Sequence, residues 1–287
     1  MIKLNVKRTG MLLTAISAII YGISPIYAKI SYSNGSNGIM LTFLRNLIPL
    51  PILFLMVKKK GLSVSISGKQ HIQLFILALL TSSTTATLYS SYPYIPVGTA
   101  TVLHFTYPTL VMLGSVLFLS EKFSRRKIAA LLISIVGIAM FFQGGLGSFF
   151  GFFSALLSGV LFALYFLYVD KSGMKTMYPF LYSFYVCFYG SLIMLVYSFV
   201  SKDLTFSLNI KAWIYSAGIA LSTSIFALTF LQMGIGKIGP SMAAILSMLE
   251  PITGVIFGVL ILKESFSLLT LVGCVCILSA IFILRKE

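Results

Sequence analysis

Acidic residues are scarce in this chain. Six Asp and Glu stand among 287 residues, against 21 Lys and Arg, and charged residues of both signs make up only 9%. Soluble domains are about a quarter charged, so an ordinary water-soluble fold is excluded. Cysteine is too sparse for a disulfide framework. Cys187, Cys274 and Cys276 all lie in apolar runs, and the Cys274/Cys276 pair has no neighbouring His or Cys to complete a metal set. Neither a metal nor a cofactor is expected. Histidine occurs twice and tryptophan once, as Trp213. No P-loop, H-E-x-x-H or Gly-x-Ser-x-Gly is present. Without a nucleotide site, any work the protein does must draw on a gradient.

Apolar residues fill the space that charge leaves: 58% of the chain is hydrophobic. Runs of about 20 apolar residues, the length that crosses a bilayer, recur from end to end. Ten are read, at roughly 10–29, 39–57, 71–92, 97–119, 126–142, 148–169, 179–200, 211–233, 239–262 and 268–284. The first is too long for a secretory signal core and lacks a small-residue cleavage site, so it is expected to be retained. The predicted fold class is an all-α integral membrane protein of ten transmembrane helices.

The net charge of +15 invites a nucleic-acid reading, but its distribution argues against one. With the N-terminus in the cytoplasm, the inner segments carry Lys3, Lys7, Arg8, Lys58, Lys59, Lys60, Lys69, Lys122, Arg125, Arg126, Lys127, Lys171, Lys175, Lys237, Arg285 and Lys286. The outer segments carry only Lys29, Lys202, Lys211 and Lys263. This is the positive-inside asymmetry. It predicts a multi-pass protein of the cell membrane with both termini cytoplasmic. The expected partners are the lipid bilayer and a small-molecule substrate, with no nucleic acid; monomer and homodimer both stay open.

The chain also repeats itself. TYPTLVMLGSVLFLSEKFS (106–124) aligns with LEPITGVIFGVLILKESFS (249–267), so that Pro108 meets Pro251, Ser115 meets Gly258 and Glu121 meets Glu264. Gly10-to-Lys29 aligns with Gly151-to-Asp170, and Leu80-Thr81-Ser82-Ser83 with Leu221-Ser222-Thr223-Ser224. Two five-span units follow, at 10–142 and 148–285. Five is odd, so the second unit is expected upside down relative to the first. Inverted repeats of this kind build transporters whose substrate site lies near the midplane, where the halves meet.

LEPITGVIFGVLILKESFSLLTLVG (249–273), IIYGISPIYAKI (19–30) and FALYFLYVDK (162–171) together resemble the drug/metabolite transporter superfamily, in its EamA-like ten-span branch. Tyr21 and Tyr165 fall at that family's aromatic positions, and Arg45 in the second span also fits. The resemblance implies a secondary transporter of small organic solutes, often an exporter of amino acids or related metabolites. Trp is nearly absent and the third span is unusually rich in hydroxyls, so substrate identity is not carried over.

Within the spans a few residues stand out. Glu250 lies halfway along the ninth, where a charge costs about 2.5–3.5 kcal/mol on insertion scales. It is a candidate proton site or a contact for a cationic substrate group; the plainer reading is a carboxylate satisfied by backbone amides at a bent helix. Pro251 removes the donor that would bond Ser247. Pro25, Pro108 and Pro251 are read as helix kinks. Under the repeat His104 matches Ser247 and Tyr107 matches Glu250, so these four are expected to converge. Glu250 and His104 are the coupling candidates, with protons as the partner. Arg45 lies about 10 Å from its span's outer end. It either meets an anionic substrate group or ties its helix to a neighbour. Ser82, Thr85, Tyr89 and Tyr92 share one face of the third span, either lining a wet passage or bonding their own helix. Tyr21, Phe162, Tyr165 and Tyr107 are candidates for an aromatic wall, or for packing alone. Glu121 and Glu264 are read as structural, capping the turns that follow the fourth and ninth spans.

The functional expectation is a secondary transporter, not an enzyme, that exports amino acids or related metabolites by alternating access with possible proton coupling. One alternative is an importer of choline or another quaternary amine through an aromatic cage. An alternative of another class is a non-transporting sensor or assembly subunit.

Overall fold

The structure is a computed structural model describing residues 2–122, 124–140, 148–262 and 267–285. Among them all regular structure is helical. In chain order the helices are α1 (Ile2–Tyr32), α2 (Gly38–Leu47), α3 (Leu50–Lys59), α4 (Gly68–Ser91), α5 (Val97–His104), α6 (Tyr107–Leu119), α7 (Arg125–Ala139), α8 (Phe149–Lys171), α9 (Pro179–Ser201), α10 (Ile210–Ile219), α11 (Leu228–Ile238), α12 (Pro240–Leu246), α13 (Leu249–Leu262) and α14 (Leu268–Arg285). A π-helical segment, Ala220–Ala227, joins α10 to α11 without a gap.

Local chemistry sets the ends. Asn37, Ser67, Ser124, Ser148 and Asn209 each cap the following helix by accepting from its first-turn N–H groups. At Ser67 the reciprocal bond from the backbone to Gln70 completes a capping box. Gly239, at φ 78°, ends α11 and turns the chain into α12.

Eight helical stretches are long and apolar enough to cross a membrane among the described residues. Four are composite: α2 with α3, α5 with α6, α10 through the π segment to α11, and α12 with α13. The fifth and tenth apolar runs form α7, 15 residues long, and α14, whose apolar part is Leu268–Ile283. Large apolar side chains such as Leu117, Phe118, Phe199 and Leu260 point outward and are well over half exposed. Water would penalise that surface and lipid tails would not.

The run at 39–57, expected as one helix, is broken between α2 and α3. Pro51 has no N–H for the carbonyl of Leu47, and its ring crowds that carbonyl. Helix α1 passes through Pro25 without interruption.

The halves pack by exchange. Helix α1 lies along α10, the π segment and α11, while α8 lies along α4. Helix α1 also packs on α13, while α8 packs on α5 and α6. Under the sequence repeat, each member of these pairs maps onto the other. Helices α7 and α14, and α2 and α9, pack on their own counterparts.

Candidate functional site

The two composite helices that carry Pro108 and Pro251 are interrupted at matching places. Helix α5 stops at His104 and α6 starts at Tyr107; α12 stops at Leu246 and α13 starts at Leu249. In each, the proline denies a donor to the carbonyl four residues back, that of His104 or Ser247. At the second break the Ser247 carbonyl instead accepts from the Glu250 N–H at 3.0 Å. A helix of the other half presses a glycine onto each break. A Cβ on Gly22 of α1 would lie 2.4 Å from the Glu250 carbonyl oxygen, and one on Gly159 of α8 would lie 2.7 Å from that of His104. Only a hydrogen at these positions lets the backbones approach so closely.

Polar and aromatic side chains lie around the breaks: Tyr21, Tyr92 and Glu250 are half-buried, and His104 and Tyr107 are buried. Glu250 stands in the first turn of α13, where the helix dipole favours a negative charge. No protein group donates to its carboxylate among the described residues. It lies within electrostatic range of Arg45, Tyr21, Tyr89 and Tyr107. Tyr107 is fully buried and its hydroxyl has no hydrogen-bond partner in good geometry, although it approaches Ser247.

Arg45 is buried within the bundle, with only 9% of its surface exposed. Its Nε donates to the Thr223 hydroxyl at 3.0 Å and its Nη1 to that of Thr85. The guanidinium lies over the Tyr21 ring, 5.6 Å from the centroid. The next residue, Asn46, donates to Ser82 at 3.2 Å. Ser82 and Thr223 are repeat counterparts, so two consecutive side chains of α2 reach equivalent positions in the two halves. The π segment helps to aim one of them. Its widened turn places Ser224 to donate to the Arg45 carbonyl at 2.9 Å, while Thr223 and Ser222 bond back to Ile219 and Gly218. π segments are rare and concentrate at functional places.

His104 is placed differently from its expected neighbours. Ser158 donates to the Ala155 carbonyl at 2.5 Å, so His104 Nδ1, 2.9 Å from the same hydroxyl, carries the hydrogen. The imidazole stacks on Phe162 with centroids 5.4 Å apart and lies 5.3 Å from Tyr107. No contact joins it to Glu250; Tyr107 is the residue in reach of both. Of the four residues expected to converge, Tyr107, Ser247 and Glu250 come together and His104 stands behind Tyr107.

The aromatic group also takes shape. Phe162 stacks on Tyr165 at 5.7 Å and meets Tyr107 edge-on at 4.9 Å. The Tyr165 hydroxyl accepts from Tyr182 at 2.9 Å. Tyr21 packs against the same core, with the Arg45 guanidinium over its ring. On α4 the hydroxyls bond their own helix and the helices beside it. Thr84, Thr85 and Thr87 bond carbonyls one turn back. Ser82 and Thr85 also meet α2, and Tyr89 donates to Ser24 at 3.3 Å. Away from the breaks, Glu121 pairs with Lys127 and accepts from Ser241 of the other half at 2.6 Å. Glu264 lies outside the described residues.

Residue reading missed Thr223, Asn46, Ser158 and Tyr182. Thr223 carried a signal, since it aligns with Ser82. Tyr182 sits in a uniformly apolar run with nothing to mark it.

A bundle of apolar helices, two of them broken near a buried arginine and a half-buried glutamate, has the build of a multi-pass membrane transporter. The family model for the EamA-like transporter family matches the chain twice, over residues 8–143 and 149–286. The chain belongs to the EamA-like transporter family. It is 24% identical over 190 residues to the uncharacterized transporter YetK of Bacillus subtilis (strain 168), an alignment that covers 63% of this chain and spans 58% of that relative's length. A solved crystal structure shares the fold with a TM-score of 0.82 at 13% identity, covering 96% of both chains.

Proposed function

We propose that this protein is a secondary transporter that moves small organic solutes across the cell membrane by alternating access, exporting amino acids or related metabolites. The observation that carries this reading is the meeting of two broken helices, one from each half, beside Arg45, Tyr107 and Glu250. Broken helices give up backbone hydrogen bonds, which is tolerated at membrane depth where the chain lines a cavity.

In this reading, α7 and α14 complete ten spans, and the units 10–142 and 148–285 are inverted copies with both termini cytoplasmic. The exchanged packing of α1 and α8 supports a two-fold relation between them. Rocking one unit against the other opens the site between them to each side in turn. Proton exchange at Glu250, with His104 behind Tyr107, couples the cycle to a gradient.

The test is flux in proteoliposomes loaded with an amino-acid mixture, with and without an imposed pH gradient. Efflux that accelerates with the gradient is expected, and Glu250→Gln should abolish the acceleration. Unaltered gradient dependence in Glu250→Gln would remove the coupling role. No flux of any solute would favour a sensor or assembly subunit.

A further inference from the structure

A buried charge needs an opposite charge or a well-made set of hydrogen bonds. Arg45 and Glu250 each lack the first. The guanidinium is held by two neutral hydroxyls, Thr85 and Thr223, and its other N–H bonds have no protein partner among the described residues. Among the described residues no protein group donates to the carboxylate of Glu250. The two groups lie within electrostatic range of one another, and no ion pair joins them among the described residues. The fully buried, unpartnered hydroxyl of Tyr107 stands on the Glu250 side.

We infer that Arg45 and Glu250 are the two poles of substrate recognition, the anionic end of a dipolar solute lying on Arg45 and its cationic end between Glu250 and the Tyr107 hydroxyl. The inference rests on the transporter reading and adds residue-level specificity to it. A planar guanidinium matches a carboxylate with two parallel hydrogen bonds. An ammonium offers three donors to a carboxylate and a hydroxyl. One ligand thereby meets the remaining N–H bonds of Arg45, the Glu250 carboxylate and the Tyr107 hydroxyl. A site holding one charge of each sign is matched to a solute of no net charge. A quaternary amine would satisfy Glu250 and leave its charge facing Arg45. The Tyr21 ring beneath the guanidinium keeps that pole oriented.

The experiment uses the purified full-length chain in proteoliposomes. The probes are L-phenylalanine, L-methionine and L-threonine, each with its methyl ester and its N-acetyl derivative, together with choline and succinate. In the wild-type protein each free amino acid should compete about tenfold or more better than either derivative, since each derivative leaves one pole unpaired. Arg45→Gln should erase the preference over the ester and keep the preference over the N-acetyl form. Glu250→Gln should do the reverse. Arg45→Lys retains the charge without the fork and should keep part of the preference over the ester; it also serves if Arg45→Gln does not fold, as judged by its unfolding midpoint. Equal competition by ester and parent in the wild type, or loss of both preferences together in a folded single variant, would overturn the assignment. Flux of choline or succinate without any amino acid would overturn it while leaving the transporter reading intact. No flux of any probe would remove both.

Discussion

The interior of this protein is organised by hydroxyls more than by charges. Thr85 and Thr223 come from different halves and grip the same guanidinium. Hydrogen bonds to a charged group are worth about 1.5–3 kcal/mol each. Thr85→Val and Thr223→Val should therefore each lower the thermal unfolding midpoint of the protein in detergent. Thr85→Ser, which keeps the oxygen, should stay close to wild type. Equal midpoints for Thr85→Val and Thr85→Ser would show that the bond contributes nothing. Arg45 and Glu250 were legible as exceptional from the chain, because ionisable residues inside apolar runs are rare. Their partners were not. A threonine in a membrane helix most often bonds its own helix, and Thr85 and Thr223 do that as well. Only the fold reveals the second bond.

Pro108 and Pro251, read from the chain as kinks, stand beside the two matching breaks, and α1 shows that proline alone does not part a helix. Pro25 sits inside an unbroken helix, whereas Pro108 and Pro251 stand beside breaks. Proline removes one bond; whether the helix then parts depends on what packs against it. At each break that neighbour is a helix of the other half, brought close by Gly22 or Gly159. Alanine is about 1 kcal/mol better than glycine in a helix interior, yet Gly22→Ala should destabilise. Its Cβ would meet backbone, which cannot yield as a side-chain tip can, and overpacking costs about 1–3 kcal/mol. Gly68→Ala is the control, since nothing lies within 4 Å of its added Cβ. A Gly22→Ala protein with an unfolding midpoint at or above that of Gly68→Ala would contradict the close approach. The π segment is a further departure from symmetry. Its counterpart in α4 carries similar hydroxyls and is regular α-helix.

The two halves are laced together at both ends of the bundle. Asn37 donates to the Asp203 carbonyl at 2.7 Å at one end; at the other, Gln73 donates to the Ser172 carbonyl at 3.1 Å and Ser241 to Glu121. Alternating access as proposed would have these two sets part in turn. The proposed inversion of the halves has a direct consequence. The loops after α3 and after α9 follow equivalent spans and should emerge on opposite faces. In a background with Cys187, Cys274 and Cys276 replaced by Ser, Lys59→Cys should react with a membrane-impermeant thiol reagent only from the cytoplasmic side, and Ser207→Cys only from the outer side. Labelling of both from one face would mean that the halves run the same way up.

The apolar runs, the asymmetry of basic residues, the duplicated motif and the place of the one acid deep inside a span could all be read along the chain. Each is a one-dimensional signal, because a bilayer judges length, charge and order locally. Which side chains meet is another matter. Arg45 reaching Thr223 across 178 positions, Tyr107 standing between His104 and Glu250, and a π segment of eight residues described in one half only depend on how helices from the two halves cross. Crossing is set by close packing over many small contacts at once, and no short stretch of residues contains that sum.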